Sequence, residues 1–449
     1  MAPIGVRLWL GLVLGLVWLG PAARGAAATR PVGVAQEDIT PDYPVRLSGY
    51  LARKTECQGV AQRIWAKALA IGSDREGPAL LITVDNCGVP GHVRDEVLRR
   101  LGRRVKPEQV AICSSHTHSA PCLSGALPTL FGEPIPPEHQ ARIDRYTREL
   151  TDALEKAALE ALKDRRPGRL SFGRGTAGFA ANRRTQGGPV DHDVPVLVVT
   201  DAQGKLRAVL AGYACHCTTL TGEFNQINGD WAGYAQEYLQ RDHPGVTALV
   251  AVGCGGDANP NPRPGFEWAQ QHGQALATAV NTVLAGPLSP LRGRLVCRTQ
   301  QVELPFDTLP TRAEWEARAQ DTGPAGYHAR LNLAKLDRGE PLPTRLPYLV
   351  QAWMFGSDLA MVFLPGEVVV DYSLRLRREF DARRLWVAAY ANDVPCYIPS
   401  ERILAEGGYE GGGAMIYYDQ PTKFAPGLEA IIVNTVHRLV PKGYLAARR

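Results

Sequence analysis

The 449-residue chain is 45% hydrophobic and 21% charged, an ordinary globular composition with ample length for a large core. Its formal charge of +5 comes without any long basic block, which argues against a nucleic-acid partner. No fixed repeat and no low-complexity linker divides the chain, so a single large unit is expected.

Arg7 precedes the apolar run Leu8–Gly20, which is too short for a comfortable membrane span. Pro21 and small residues follow, so residues 1–27 are predicted to be a secretory leader and residues 28–449 the mature unit. The protein is then exported, to a periplasm or outside the cell, and losing Arg7 and Arg24 leaves it close to neutral. Its nine cysteines are odd in number and scattered, with no Cys-x-x-Cys-His motif, so disulfide pairing is not readable. A core of this size does not need it.

Ala79–Val84 is a continuous apolar run ending at Asp85, which predicts a strand buried on both faces. A helix over His92–Leu101 and a strand over Gln109–Cys113 complete a strand–helix–strand unit, which suggests parallel pairing. Pro137–Lys163 reads as a long amphipathic helix. Strands are predicted over 168–173, 194–200, 206–214 and 246–252, and helices over Ala232–Gln240 and Trp268–Leu284. Residues 292–305 alternate as a strand, and the polar segment 306–346, with helical stretches near 312–320 and 329–336, reads as an insertion covering a site. Strands over 348–355 and 359–364, a helix over Val368–Phe380, a strand over Trp386–Tyr390 and a helix over Leu428–Leu439 follow. The expected fold is α/β, with mixed, largely buried sheets flanked by helices in one large domain.

Polar groups cluster where predicted strands end, which is where open α/β sheets place their sites. The first cluster is Ser115-His116-Thr117-His118-Ser119. In an extended backbone residues two apart point to the same side, so His116 and His118 would stand together at a strand tip, suited to a metal or to one ligand beside an acid/base group. The second is Tyr213-Ala214-Cys215-His216-Cys217; if the strand continues, His216 faces away from both thiols. The third is the glycine-rich loop 252–261, whose backbone N–H groups could face an oxyanion, with Asp257 and Asn259 as its polar side chains. The fourth is Pro365-Gly366-Glu367, with the carboxylate at a predicted helix start. The fifth comprises Tyr390 to Tyr397 and Tyr409-Glu410-Gly411-Gly412. Read alone, each has a bland structural explanation: a buried histidine, a tight loop, a helix cap, packing tyrosines.

Taken in order, these segments resemble the neutral/alkaline non-lysosomal ceramidase family, specifically its N-terminal catalytic domain. The matching pieces are Asp38-Ile39-Thr40-Pro41 with Gly49-Tyr50, Asp85, residues 115–119, Asn182-Arg183, His216 with Thr218, Gly229-Asp230 with Gly233-Tyr234-Ala235, Gly256-Asp257, Pro365-Gly366-Glu367, Asn392 to Tyr397, and Tyr409-Glu410-Gly411. The resemblance implies one zinc ion per chain held by His116, His216, Glu367 and Tyr397. It further implies that His118, Arg183 and Tyr409 surround the scissile amide, with Asp257 and Asn259 completing the catalytic set. The implied partner is a small-molecule or lipid amide, which brings peripheral contact with a membrane.

Two departures stand out. Asn259 occupies the position where the family carries a serine after Gly-Asp-x, and an amide cannot serve as a hydroxyl nucleophile or proton relay. The sequence also ends at Arg449 without the immunoglobulin-like domain common in the family. The expected activity is zinc-dependent hydrolysis of a linear amide, with ceramide or a related N-acyl lipid leading. The rivals are hydrolysis of another envelope amide or ester, a zinc-containing binding protein without turnover, and a cysteine-nucleophile hydrolase using Cys215, Cys217 or Cys254.

Overall fold

Ala79–Val84 shows how the layers are built. Leu80, Ile82 and Val84 enter a core under helices, while Ala79 and Leu81 enter a second core shared with another sheet. The run is apolar throughout because both faces are covered. The computed structural model describes Met1 and residues 29–447; the remainder of the predicted leader lies outside the described residues.

The nine-stranded sheet contains β1 (Arg30–Asp38), β2 (Trp65–Ile71), β3 (Ala79–Val84), β4 (Val110–Ser114), β5 (Arg166–Thr176), β7 (Asp193–Asp201), β8 (Leu206–Tyr213), β9 (Thr247–Val252) and the short β11 (Ser289–Pro290). Their order is β4-β3-β2-β1-β5-β7-β8-β9, with β11 on β5. Within it, β3–β4 and β8–β9 are parallel and the other pairs antiparallel. The parallel pairing expected around α1 (Gly91–Leu101) is therefore present, and it recurs around α3 (Asp230–Asp242).

A four-stranded sheet of β12 (Leu295–Pro305), β13 (Arg345–Phe355), β14 (Leu359–Phe363) and β16 (Leu385–Ala388) packs on one face of the first. Leu81, Leu197 and Leu249 meet Trp353, Met361 and Trp386 in the shared core. The outer face of the large sheet is covered by α2 (Pro137–Lys163) with α1, and by α3 with α4 (Phe266–Ala285). That of the small sheet is covered by α7 (Val370–Glu379) and α9 (Leu428–Leu439). Two two-stranded ribbons, β6 (Ala180–Asn182) with β10 (Ala258–Pro260) and β15 (Glu367–Val368) with β17 (Tyr397–Ile398), carry site residues. The architecture is the expected α/β one, with helices outside two buried sheets. No helix among the described residues is long and apolar enough to cross a membrane.

Several elements differ from expectation. Neither β1 nor β2 was signalled by the pattern; β2 reads Trp-Ala-Lys-Ala-Leu-Ala-Ile, helix-like in composition, and is a strand because β1 and β3 pair with both its edges. The helix expected from Val368 begins at Val370, after the ribbon strand that contains Glu367. The insertion 306–346 folds into α5 (Arg312–Arg318) and α6 (Gly323–Asp337). It lines neither cavity at the site described below; instead Asn332 and Lys335 of α6 bind Asp419 at 3.4 and 2.5 Å, bracing the end of the 3-10 turn Gly413–Tyr418 that comes after α8 (Glu401–Glu406).

Candidate metal centre

Backbone pairing brings distant loops to one point. Thr117, after β4, forms a parallel bridge with Cys217, after β8, and His118 N–H donates to the Cys217 carbonyl at 3.2 Å. His216 N–H donates to the Ala258 carbonyl at 2.9 Å. The extended geometry expected for His-x-His is not what pairs the two rings. The strand ends at Ser114, and His116 takes a left-handed backbone with φ 60, a conformation that costs a non-glycine residue about 1 kcal/mol or more. The two rings still meet, centroids 4.6 Å apart and nearly perpendicular.

Each of the three histidines places Nδ1 on a backbone carbonyl: His116 on Cys87 at 2.5 Å, His118 on Gly49 at 3.1 Å and His216 on Gly255 at 2.7 Å. A carbonyl only accepts, so Nδ1 carries the proton and Nε2 presents a lone pair. The three Nε2 atoms turn toward one another. That of His116 lies 3.0 Å from that of His118 and 3.1 Å from Glu367 Oε2, and that of His216 lies 2.9 Å from the same oxygen. Glu367 pairs with Tyr397 across the β15–β17 ribbon, and the Tyr397 hydroxyl lies 3.2 Å from His216 Nε2. Gly366 permits this turn: its φ is +81, and a Cβ there would lie 2.7 Å from the Cys396 carbonyl oxygen.

With the histidines neutral and protonated on Nδ1, Glu367 Oε2 is buried with no hydrogen-bond donor, while Oε1 accepts from Tyr418. A buried carboxylate oxygen aimed at lone pairs is costly unless a cation fills the space. Burial disfavours charge on His116, but Glu367 outweighs it and raises its pKa to about 10. Burial would raise the Glu367 carboxyl, yet His116 and His216 hold it well below the usual range. Burial and Arg183 push His216 down to about 4, and burial with the other two histidines holds His118 well below its ordinary value. Without a cation the cluster is a His116–Glu367 ion pair. A divalent ion would replace that one proton, and imidazole nitrogens with carboxylate and phenol oxygens suit a transition metal. His116, His216 and Glu367 all offer ligand atoms within 4.8 Å of one another. Cys87, His116 and His118 form an overlapping group.

Arg183 follows β6, and its N–H donates to the Asp257 carbonyl at 2.9 Å. Its guanidinium is held by Glu410 at 2.7 Å and by the Tyr397 hydroxyl at 2.9 Å, and lies 3.3 Å from His216 Nε2. Asn259 meets Arg183 at 3.5 Å and Thr218 at 3.3 Å. The Tyr409 ring stands edge-on to Tyr397, 5.3 Å between centroids, and is 47% exposed. Thus His118, Arg183, Asn259, Tyr397 and Tyr409 all line one open cleft of about 740 Å³. His116, Glu367 and Tyr418 line a second cavity of about 400 Å³ that shares no lining residue with the cleft.

Two expectations fail here. The N–H groups of Gly253, Gly255, Gly256 and Ala258 all bind carbonyls within the protein, so none of these four is available to an oxyanion; the loop's contribution is the Gly255 carbonyl that orients His216. Asp257 lies apart from both cavities. It accepts from Val370 N–H at 2.8 Å and Asn182 Nδ2 at 3.1 Å, capping α7, the place expected for Glu367. The thiols of Cys215, Cys217 and Cys254 are buried in the core, and burial raises each well above its ordinary pKa. Sequence reasoning missed Tyr418 and the pairing of Glu410 with Arg183 and Arg184; Tyr390, which opens the fifth cluster, stacks its ring on His116 at 4.3 Å. Glu410 sits inside a motif that was noticed; nothing in the sequence marks Tyr418.

A family model, neutral/alkaline non-lysosomal ceramidase, N-terminal, matches residues 31–302, more than half of the chain. A neutral ceramidase of Drosophila pseudoobscura pseudoobscura is 25% identical over 277 residues, 55% of this chain and 38% of that protein. The chain thus spans well under half the length of this fly relative. A neutral ceramidase of Pseudomonas aeruginosa is 22% identical, aligned to 89% of this chain and 71% of its own length. Among solved structures, a ceramidase complexed with C2 superposes with a TM-score of 0.72 at 20% identity, covering 94% of this chain and 77% of that one. The crystal structure of the P. aeruginosa neutral ceramidase gives 0.70 with the same identity and coverage.

Proposed function

The chain belongs to the neutral/alkaline non-lysosomal ceramidase family, and on that premise we propose that it is an exported, zinc-dependent hydrolase of a linear amide, with ceramide or a related N-acyl lipid as substrate. The leader over residues 1–27 directs export, and residues 28–449 form the catalytic unit. The observation that carries this reading is the convergence of imidazole lone pairs on the orphan oxygen of Glu367, beside a cleft lined by His118 and Arg183.

His116, His216, Glu367 and Tyr397 hold the ion. Zinc, when bound there, supplies Lewis acidity, polarising the carbonyl and making water a nucleophile at neutral pH. His118 stands on the cleft side with its Nδ1 proton fixed on Gly49, so Nε2 is free to take the proton of the attacking water and pass it to the departing nitrogen. Arg183 is fixed by Glu410 and Tyr397, which leaves its NH1 side toward the reaction centre. Its charge, with the Tyr409 hydroxyl that has no hydrogen-bond partner among the described residues, steadies the oxyanion of the tetrahedral intermediate. Asn259 in place of the family's serine favours a second reading in substrate only, another envelope amide or ester.

Metal content of the purified mature protein tests this. About one zinc per chain is expected, lost in both His116→Ala and His216→Ala, together with turnover of an N-acyl substrate by the wild type. A wild type that neither contains zinc nor takes it up overturns the mechanism. Zinc with tight lipid binding but no turnover makes the protein a binder.

A further inference from the structure

The cavity of about 400 Å³ reaches the proposed metal ligands without sharing a lining residue with the cleft. Its lining runs from exposed to buried. His92 and Asp95 of α1 are exposed, Asp393 and Gln420 are half-buried, and Cys87, His116 and Glu367 are buried. Gly91 N–H donates to Asp393 Oδ1 at 2.9 Å, which ties the start of α1 to the loop before β17. Gly88 lets these two walls approach, because a Cβ there would lie 2.9 Å from the Val394 Cβ.

The two openings differ in charge. The acidic side chains Asp95, Asp393 and Glu367 line the cavity, and no lysine or arginine does. Arg94 holds one oxygen of Asp95 at 3.2 Å, and the N–H groups of Gly91 and Val394 donate to one oxygen of Asp393. The second oxygen of each has no partner among the described residues. The cleft is the reverse. Arg183, Arg184 and Arg263 stand in its lining with Glu406 and Glu410, and Arg183 Nη1 lies 3.3 Å from His216 Nε2. A cation entering there meets a guanidinium beside the ligands. In a confined passage, opposite charge concentrates a cation and like charge excludes it.

We infer that this cavity is the passage by which a divalent cation enters and leaves the metal centre, with His92, Asp95 and Asp393 gathering it at the mouth. Imidazole and carboxylate are ligand types that a transition metal accepts in passing. At the inner end Cys87 Sγ lies 3.9 Å from His116 Nδ1, and His116 Nε2 lies 3.1 Å from Glu367 Oε2. That buried oxygen, without a donor of its own, is where the passage ends. The inference rests on the reading of His116, His216, Glu367 and Tyr397 as a metal centre. It adds separate access: substrate uses the cleft and the ion uses the cavity.

The experiment follows zinc release from the full, loaded mature chain into excess chelator, and zinc uptake by the stripped chain in stopped flow with a fluorescent zinc indicator. An Asp95→Asn/Asp393→Asn double variant should take up zinc about tenfold more slowly, and raised salt should slow the wild type far more than the variant. Asparagine at 393 still accepts from Gly91 and Val394, and Asp95→Glu, which keeps the charge, should keep the wild-type rate. Ala126→Phe narrows the cavity without changing charge and serves as an independent variant. It should slow uptake and release by the same factor and leave the equilibrium affinity unaltered, which damage to the ligand geometry would not do. Arg263→Glu makes the cleft less cationic and should leave the uptake rate as it is. Equal rates in the wild type and every cavity variant overturn the inference, as does uptake sped by Arg263→Glu. A wild type that takes up no zinc overturns the metal centre itself, so the two failures are distinct.

Discussion

Glu367 and Tyr397 are direct register partners in a parallel ladder only two residues long, so two of the four proposed metal ligands are set by one backbone pairing. Adjacent partners in a ladder place their side chains on the same face. Leu364 accordingly hands the chain from the buried strand β14 through the Gly366 turn into this ribbon, and the third contact, from Tyr418, fixes the carboxylate's rotation.

Tyr418→Phe removes that contact while preserving the ring. With Oε1 no longer anchored, the carboxylate can swing away from His116 and His216. Zinc affinity should fall about 10- to 100-fold, measured by competition with a chromogenic chelator, with little change in the fold of the apoprotein. Unchanged affinity would mean that the hydroxyl does not orient Glu367.

His118 and Asn259 both line the cleft, and their truncations should separate. Loss of a positioned proton carrier typically costs about 10²- to 10⁴-fold, so His118→Ala should abolish most turnover while zinc content stays near wild type. Asn259 makes only the long contacts to Arg183 and Thr218, and Asn259→Ala should cost turnover far less, about tenfold or under. Steady-state kinetics on one N-acyl substrate decide it; equal losses would place Asn259 in the proton path.

How much of this was readable beforehand follows from the range of the interactions. The helix Pro137–Lys163 and the strand Ala79–Val84 have the bounds the pattern predicts, because a long apolar stripe or an unbroken apolar run is a local signal. The strand β2 was hidden because its alanines and Lys67 take their meaning from pairing with β1 and β3. At the site, the residue types at His116, His216 and Glu367 stood out, yet their convergence depends on a bridge between residues 117 and 217 and a ladder between 367 and 397. Periodicity cannot see such contacts, and only the resemblance linked them. Asp257 stood out for the wrong reason: a conspicuous acid beside glycines proved to be a helix cap.

The thiol chemistry has a direct check. Cys215, Cys217 and Cys254 are buried, with thiols pushed well above their ordinary range, so almost no thiolate is available for attack. Native protein treated with iodoacetamide should label first at the half-buried Cys57 and keep its activity. Mass spectrometry locates the adducts. Rapid inactivation that tracks modification of Cys215, Cys217 or Cys254 would restore the cysteine-nucleophile reading.

Asp257 separates a structural acid from a catalytic one through pH. Burial pushes its carboxyl up to about 6 from 3.8, against the opposing Val370 N–H. Between those two values the folded chain keeps a proton that the unfolded chain has released, so stability should fall as pH rises toward 6 and then level off. The drop is about 3 kcal/mol. Asp257→Asn keeps an oxygen for Val370 N–H and has no proton to lose, so chemical denaturation at a series of pH values should show that slope flattened in the variant. The same variant should keep most of the wild-type turnover, because the carboxylate contacts Val370 and Asn182 and lines neither cavity. A loss of about 10²-fold or more with unchanged zinc content would return Asp257 to the catalytic set.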